Sequence, residues 1–246
     1  MLNCGKYINI ISFIIIYMQK LGTNYGGWYI PNDIKLDEDS IIYSAGVGED
    51  ISFDLLLSNR YNSNVILIDP TKRAIEHYKE ILRYFKTKEW KFSGDIQNDY
   101  KEKIVDLEVD FNKITYIEKG LWKEQSKMKF FQQTNPKYVS QSLKKEMFGN
   151  DFYEVEVDSI KNLMIHNKHD KIDLLKLDIE GAEIEVLNNM IDDEIYPRYL
   201  CIEFDLLLQK KDKSNETLKV INRLQNAGYK ILFNDNMNIT FKKKNY

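Results

Sequence analysis

The sequence has few of the residues that build cross-linked or metal-binding domains. Its 246 residues include two cysteines, Cys4 and Cys201, and three histidines. Two cysteines cannot form a disulfide framework, and these two lack the paired spacing of a zinc site. His166 and His169 are three residues apart, but the residues around them are typical of a polar helix end. The sequence therefore predicts no metal site.

Flexible linkers and an excess of positive charge are also missing. The chain contains 4 prolines and 11 glycines, and it shows no internal repeat or low-complexity tract. The net charge of −3 at pH 7 does not favour a basic surface for nucleic acid, so we expect no nucleic-acid partner. The length and the 43% hydrophobic content fit a soluble domain with at most a small appendage.

The most apolar segment, residues 7–18, is too short to cross a bilayer, which takes about 20 apolar residues. Only Lys6 provides a basic start, and no small-residue cleavage site of a secretory signal is obvious after the segment. We expect this segment to form a helix that packs its apolar face on the domain. Contact with a membrane surface or a partner is the alternative. We accordingly expect a cytoplasmic protein of undetermined oligomeric state.

The rest of the chain alternates short apolar runs with helical patterns. Strands are predicted in residues 40–45, 64–69, 113–122, 171–179 and 199–204, and helices in 50–60, 71–86, 158–167, from 181, and 214–227. Such alternation favours a parallel sheet with helices on both faces. Residues 229–233 and 238–241 flank a polar turn, which predicts a closing antiparallel hairpin. Residues 87–112 and 127–157 give no clear regular pattern.

Two glycines, Gly46 and Gly48, follow the first predicted strand and precede two acids, Glu49 and Asp50. A dinucleotide fold would require a third glycine where Ile51 stands, and the acids would repel a pyrophosphate. S-Adenosylmethionine fits better, because it carries a sulfonium and an ammonium group and no phosphate. Nearby carboxylates attract such positive groups.

Asp69 ends the second predicted strand, about twenty residues after the glycines, at the usual interval for an acid that binds a ribose. The glycine pair and this acid, in order within one strand–helix–strand unit, predict a cofactor site. A plain tight turn at each position is the alternative. The candidate cofactor-binding residues are Ser44, Gly46, Gly48, Glu49, Asp50, Asp69 and Pro70.

Asp178 and Glu180 stand where the clearest strand becomes a helix, and alternation points them the same way. Helix capping is the alternative, which we favour for Glu183. The Asn/Asp-Pro-Pro-Tyr/Phe turn of many DNA amino-methyltransferases is absent here. The carboxylates instead indicate deprotonation of a hydroxyl group. Our first candidate for the catalytic base is Asp178, followed by Glu180 and then Glu203.

The chain resembles the FkbM-type S-adenosylmethionine-dependent methyltransferases. The matching segments are LGTNYGGW (21–28), IIYSAGVGEDISFD (41–54), LIDPTKRAI (67–75), GLW (120–122), VSQSL (139–143), IDLLKLDIEGAEIEVL (172–187), IEF (202–204) and AGYKILF (227–233). The resemblance implies a Rossmann-like class I methyltransferase sandwich, α/β in class, with a mostly parallel sheet. We expect residues 1–39 to form a helical extension, with Tyr25 to Trp28 as a possible lid, and residues 40–246 to form the methyltransferase domain. The departures, such as Asp205 and Leu206 where relatives often carry histidines, lie toward the substrate end.

The resemblance implies methyl transfer to oxygen, with a small-molecule or glycan hydroxyl as acceptor. It makes Gly46, Gly48, Glu49, Asp50 and Asp69 cofactor contacts, and it brings Asp178 and Glu180 near the reacting centre. An NAD-type oxidoreductase and a non-catalytic scaffold of the same fold are the alternatives.

Overall fold

The computed structural model describes residues 17–132, 141–143, 151–208 and 215–244. Its strands are β1 (Met18–Leu21), β2 (Trp28–Pro31), β3 (Ile41–Ala45), β4 (Asn64–Ile68), β5 (Ile114–Ile117), β6 (Gly120–Leu121), β7 (Ser126–Gln132), β8 (Gln141–Ser142), β9 (Phe152–Asp158), β10 (Leu174–Leu177), β11 (Tyr199–Glu203), β12 (Tyr229–Asn234) and β13 (Asn238–Lys243). Its α-helices are α1 (Ser52–Tyr61), α2 (Lys72–Thr87), α3 (Tyr100–Ile104), α4 (Ile160–Asn167), α5 (Glu183–Asp192), α6 (Asp205–Leu208) and α7 (Glu216–Asn226). A 3₁₀ turn occupies Phe111–Lys113.

The main sheet has seven strands in the order β12-β13-β11-β10-β3-β4-β5. The five strands from β11 to β5 are parallel, and β12 and β13 form an antiparallel hairpin at one edge. This confirms the predicted mostly parallel sheet with a closing hairpin. The chain runs outward from β3 to β5 and then returns to the other side of β3 at β10. Ligands bind at such a reversal of strand order, beyond the carboxyl ends of the strands.

The central strands are buried on both faces, as expected for a parallel sheet between helices. Tyr43, Leu175 and Leu177 pack on one face with α5, whereas Ile42 and Leu174 pack on the other with α1. The predicted apolar runs therefore lie at the centre of the core. This rigid centre fixes the positions of the loops that follow each strand.

Two helices begin at side-chain caps that the sequence supplies. The Thr71 hydroxyl accepts a hydrogen bond from the backbone N–H of Ala74, and the Ser159 hydroxyl accepts one from that of Asn162. Such caps satisfy N–H groups that the first turn leaves unpaired. The helices α2 and α4 thus start close to the residues predicted for them. Ser214, the predicted cap of α7, lies outside the described residues.

The prediction of a helical extension over residues 1–39 is wrong for the part that the structure describes. Strands β1 and β2 form an antiparallel hairpin, in which the backbone N–H of Gly27 donates to the carbonyl of Thr23 at 3.1 Å. The β-forming side chains of Trp28, Tyr29 and Ile30 follow this turn and favour a strand. The helix predicted from residue 7 falls largely outside the described residues, and the domain boundary at 39/40 stays a prediction.

Residues predicted to be irregular contain a second sheet, with the strand order β6-β9-β7-β8. Strands β7 and β9 pair antiparallel over six residue pairs, from Ser126–Val157 to Phe131–Phe152. Their many charged residues hide the apolar alternation, because one face of the sheet is solvent-exposed. The single strand predicted over 113–122 is divided between the two sheets, as β5 and β6.

No helix in the described part of the chain is long and apolar enough to cross a membrane.

Candidate active site

A cavity of about 280 Å³ lies at the carboxyl ends of β3, β4 and β10. Its polar wall contains most of the predicted site residues, namely Gly46, Gly48, Glu49, Asp50, Asp69, Pro70, Asp178 and Glu180. Its apolar wall contains Ile68, Leu121, Phe130, Leu143 and Ile179. The structure thus brings together residues from three separate segments at the reversal of strand order. We refer to this space as the first cavity.

Gly46 is required where the loop after β3 meets the loop after β10. Its φ angle is +72°, and a Cβ atom there would lie 1.6 Å from the carbonyl oxygen of Asp178. Only glycine fits both the conformation and the space. The bare backbone predicted at this position therefore serves, first, the contact between two loops of the site.

Gly48 and Asp69 form a direct link between the first two strand ends. The backbone N–H of Gly48 donates to Asp69 Oδ2 at 3.0 Å, and that of Thr71 donates to Oδ1 at 2.8 Å. Burial raises the pKa of Asp69, while these hydrogen bonds oppose the rise. Each carboxylate oxygen keeps a second lone pair, so Asp69 can also accept hydrogen bonds from a ligand in the cavity.

The two acids after Gly48 have different partners. Glu49 forms an ion pair with Arg73 of α2. Asp50 Oδ2 accepts a hydrogen bond from Thr23 Oγ1 at 2.5 Å, and Oδ1 accepts one from the Ser52 backbone N–H at 3.0 Å. Asp50 therefore fastens the β1–β2 hairpin to the start of α1. Both carboxylates line the cavity, but each already has a structural partner.

Ser44 is the one predicted cofactor contact that lines neither described cavity. It is fully buried inside β3, where it pairs with Leu67 of β4 and Lys176 of β10. The prediction failed because Ser44 precedes the last strand residue, and its side chain points into the core. Ala45 ends the strand, and the exposed loop begins only at Gly46.

Lys176 was missed by the sequence analysis. It lies in the buried strand β10, yet its Nζ donates to the carbonyl of Gly46 at 2.5 Å and lies 3.4 Å from Asp178 Oδ2. A lone lysine within an apolar run, LLKLDI, was the available signal, because lysine is seldom buried without a partner. Lys176 therefore ties the glycine loop to the candidate base.

A second cavity, of about 550 Å³, adjoins the first and shares four residues with it: Tyr25, Gly26, Asp178 and Glu180. Its remaining lining comes from the β1–β2 hairpin, the end of β11, the start of α6, and the β12–β13 hairpin. Glu203 lies here and not in the first cavity. The predicted catalytic acids thus stand at the junction of two spaces, and Tyr25 and Gly26 of the predicted lid form part of the wall between them.

Glu203 is a proton carrier in this arrangement. Burial, followed by the charge of Asp178, raises the pKa of Glu203 to about 10, and the two side chains are hydrogen-bonded. Glu203 therefore holds a proton at neutral pH and donates it to the Asp178 carboxylate. A group that already carries a proton cannot take another, which makes Glu203 the weakest of the three candidate bases.

Two further acids, Glu183 and Asp205, support the loop after β10. Glu183 Oε1 accepts hydrogen bonds from the backbone N–H groups of Ile179 and Gly181, at 3.1 and 3.0 Å. Burial raises the pKa of Glu183, and burial together with the charge of Asp178 raises that of Asp205 to about 6. The predicted capping role of Glu183 is confirmed by these contacts. They hold Glu180 in its left-handed conformation, with φ of +54°.

No group of three or more His, Cys, Asp and Glu side chains within the described ranges is arranged to hold a metal ion. Part of the unassigned segment 87–112 also reaches the site, since Asp95 and Gln97 line the first cavity. That segment gave no periodic signal, because its position depends on contacts with other loops.

The sequence profile of the methyltransferase FkbM domain matches residues 3–231. The chain belongs to the FkbM methyltransferase family. Family membership and the observed strand order together confirm the predicted Rossmann-like class I methyltransferase fold. An FkbM methyltransferase domain implies S-adenosylmethionine as the methyl donor.

Other comparisons add little to this FkbM domain. No curated protein matches it at a significant level. A fibrillarin pre-rRNA processing protein of Methanococcus jannaschii matches with 12% identity and a TM-score of 0.41, over 85% of this chain and 69% of that chain. A fibrillarin/Nop5p complex matches with 11% identity and a TM-score of 0.39, over 87% of this chain and 77% of that chain. These TM-scores are too low to support a conclusion about this protein.

Proposed function

We propose that the protein transfers a methyl group from S-adenosylmethionine, bound in the first cavity, to a hydroxyl oxygen of a small-molecule or glycan acceptor in the second cavity. The observation that supports this most directly is the junction of the two cavities at Asp178 and Glu180. A donor and an acceptor that enter from opposite sides would meet beside a carboxylate.

The residues of the first cavity suit the donor. Asp69 offers acceptor lone pairs to the ribose hydroxyls, and the loop from Gly46 to Gly48 gives the ligand access to bare backbone. The apolar wall formed by Leu121, Phe130 and Leu143 suits a flat adenine ring. The donor supplies an electrophilic methyl group on a positively charged sulfur, near which the carboxylates are favourable.

Asp178 is the proposed catalytic base. It lines both cavities, and the ammonium group of Lys176 fixes its carboxylate from one side. Protonated Glu203 orients it from another side through their hydrogen bond. The Asp178 carboxylate then accepts the proton that the acceptor hydroxyl loses, a contribution of roughly 10²–10⁴-fold in comparable cases.

Calorimetric titration with S-adenosylhomocysteine, the demethylated product, tests the donor site. We expect saturable binding with one site per chain. The oxygen assignment is then tested with labelled S-adenosylmethionine and hydroxyl-bearing acceptors, with the position of the methyl group determined by NMR. A product methylated on nitrogen or carbon contradicts it, and binding without transfer to any acceptor favours the scaffold alternative.

A further inference from the structure

The second cavity has a composition that the proposed reaction does not itself require. Its acidic side chains are Asp178, Glu180, Glu203, Asp205 and Asp235, against Lys20 at the exposed rim. Lys20 is already engaged, since its Nζ donates to the carbonyl of Asn24 at 2.6 Å. Methylation of a neutral hydroxyl calls for one base and not for an acidic chamber. The excess of carboxylates therefore points to the charge of the ligand.

Asp205 provides an independent sign that a ligand is missing from this cavity. The residue is 4% exposed, and within the described part of the chain its Oδ2 atom has no hydrogen-bond partner. A buried carboxylate oxygen without a donor costs free energy, so native proteins rarely leave one unpaired. Asp205 lines the cavity, where a donor group on a ligand would reach it.

The opposite wall is aromatic. Trp28, Tyr29 and Phe233 line the cavity, and the rings of Tyr29 and Phe233 stack with centroids 4.1 Å apart. Aromatic faces attract organic cations. A hard metal ion prefers a shell of oxygen atoms and bound water instead. The described acids also lack a metal-holding arrangement, so the wall favours an organic cation.

We propose that the second cavity binds an acceptor that carries a protonated primary amine beside its hydroxyl groups, the chemistry of an amino sugar or an aminated polyol. The carboxyl groups of Asp205 and Glu203 bind the ammonium, and the aromatic wall covers the apolar side of the ligand. This inference rests on the proposed function for its description of the ligand as the methyl acceptor. The amine is an anchor, and a hydroxyl group near Asp178 is the reacting group.

Cation binding here has a second consequence, the release of a proton. In the ligand-free protein Glu203 is protonated, because burial and Asp178 raise its pKa to about 10. The other groups that face it are Glu180, Asp205 and Tyr25, and the only ammonium near Asp178 in the described structure is that of Lys176. An ammonium placed beside Glu203 favours its charged form, so binding expels the proton.

The test uses the full chain and two sugars that differ in one group, glucosamine and glucose. Titrations are followed by calorimetry at about pH 6, where the amine is protonated. We expect glucosamine to bind at least about tenfold more tightly than glucose, as charge-assisted contacts imply. Asp205→Asn should remove most of that preference. Glu124→Gln is the control, because Glu124 is exposed and lines neither cavity, and it should leave both affinities unchanged.

Proton release gives a second readout, independent of whether Asp205→Asn folds well. The wild type should release a proton on binding glucosamine, seen as a different binding heat in buffers of different ionisation enthalpy. Glu203→Gln should abolish that difference. Equal affinity for glucose and glucosamine, displacement of glucosamine by Mg²⁺, or glucosamine binding without proton release in the wild type would each overturn the proposal.

These outcomes are separable from failure of the proposed function. If S-adenosylhomocysteine binds and glucosamine does not, the donor site stands and the cationic acceptor is wrong. If glucosamine binds with proton release and S-adenosylhomocysteine does not, the cation site stands and the methyl-transfer function is wrong.

Discussion

A Cβ atom at Gly46 would lie 1.6 Å from the carbonyl oxygen of Asp178, so the loops after β3 and β10 pack backbone against backbone. The same pair is bridged by Lys176, which donates to the Gly46 carbonyl and lies 3.4 Å from the Asp178 carboxylate. The glycine motif and the acidic motif, which are far apart in the sequence, therefore form a single structural unit. Changes in one motif should be felt in the other.

Gly46→Ala tests this unit. The added methyl group meets the Asp178 backbone, and the φ of +72° strains any side chain, so we expect a loss of roughly 3 kcal/mol or more in the free energy of unfolding. Gly48→Ala is the matched control. Its φ is +54°, but no described atom lies within 4 Å of an added Cβ, so only a cost of about 1 kcal/mol is expected. Urea unfolding measures both, and equal losses would contradict the backbone contact.

Asp69→Ala tests the ribose assignment. The variant removes the acceptor that links Gly48 to the first cavity, and we expect S-adenosylhomocysteine to bind about tenfold more weakly or worse, or about 1.4 kcal/mol. Calorimetry measures the affinity, and circular dichroism checks that the variant is folded. Asp192→Asn, which changes a mostly exposed acid remote from both cavities, is the control. An unchanged affinity in Asp69→Ala rejects the assignment.

Asp178→Asn tests the catalytic base. The amide keeps the size of the side chain but cannot take a proton, so turnover should fall roughly 10²–10⁴-fold. Binding of S-adenosylhomocysteine should survive, because Gly48 and Asp69 do not depend on this side chain. Single-turnover kinetics with a saturating donor separate the two effects. Turnover equal to that of the wild type would remove Asp178 from this role.

Glu203→Gln tests the shared proton through the pH dependence of stability. The folded-state pKa of Glu203, about 10, lies above its ordinary value of 4.5. Between these values the folded protein binds more protons than the unfolded chain, so stability falls as the pH rises from about 4.5 toward 10. The amide cannot titrate but can still donate to Asp178, so the variant should show a flatter profile.

Thermal unfolding at a series of pH values measures both profiles. Asp54 is a second group of this type, since burial raises its pKa to about 6, and it should produce a separate loss of stability between about pH 4 and 6 in both proteins. Asp54→Asn should remove only that acidic part. Parallel profiles for the wild type and Glu203→Gln above pH 6 would contradict a protonated Glu203.

The sequence predicted the central fold because its signals are local. The apolar runs at 40–45, 64–69, 171–179 and 199–204 became β3, β4, β10 and β11, with small differences at their ends. Strands buried on both faces read as continuous apolar runs, which flanking turns delimit. The second sheet and the N-terminal hairpin were missed for the opposite reason, since their strands are short, charged or partly exposed.

The prediction of the candidate site shows the same division. Gly46, Gly48, Asp69 and Asp178 were found because glycines and acids at the ends of parallel strands converge whatever the details of packing. Ser44 was wrong because one position inside a strand turns a side chain from the loop into the core. Lys176 was missed because its partners, the Gly46 carbonyl and Asp178, are set by the pairing of β10 with β3.

By itself the sequence determined the order of strands and helices, the carboxylates at the strand ends, and the glycines between loops, since periodicity and turn chemistry act over a few residues. Only the tertiary structure decided that Glu203 shares a proton with Asp178, that Asp205 keeps an unpaired oxygen among the described residues, and that two cavities meet at one pair of acids. These properties depend on burial and on distances between side chains from different strands. Neither burial nor such distances can be read from one segment at a time.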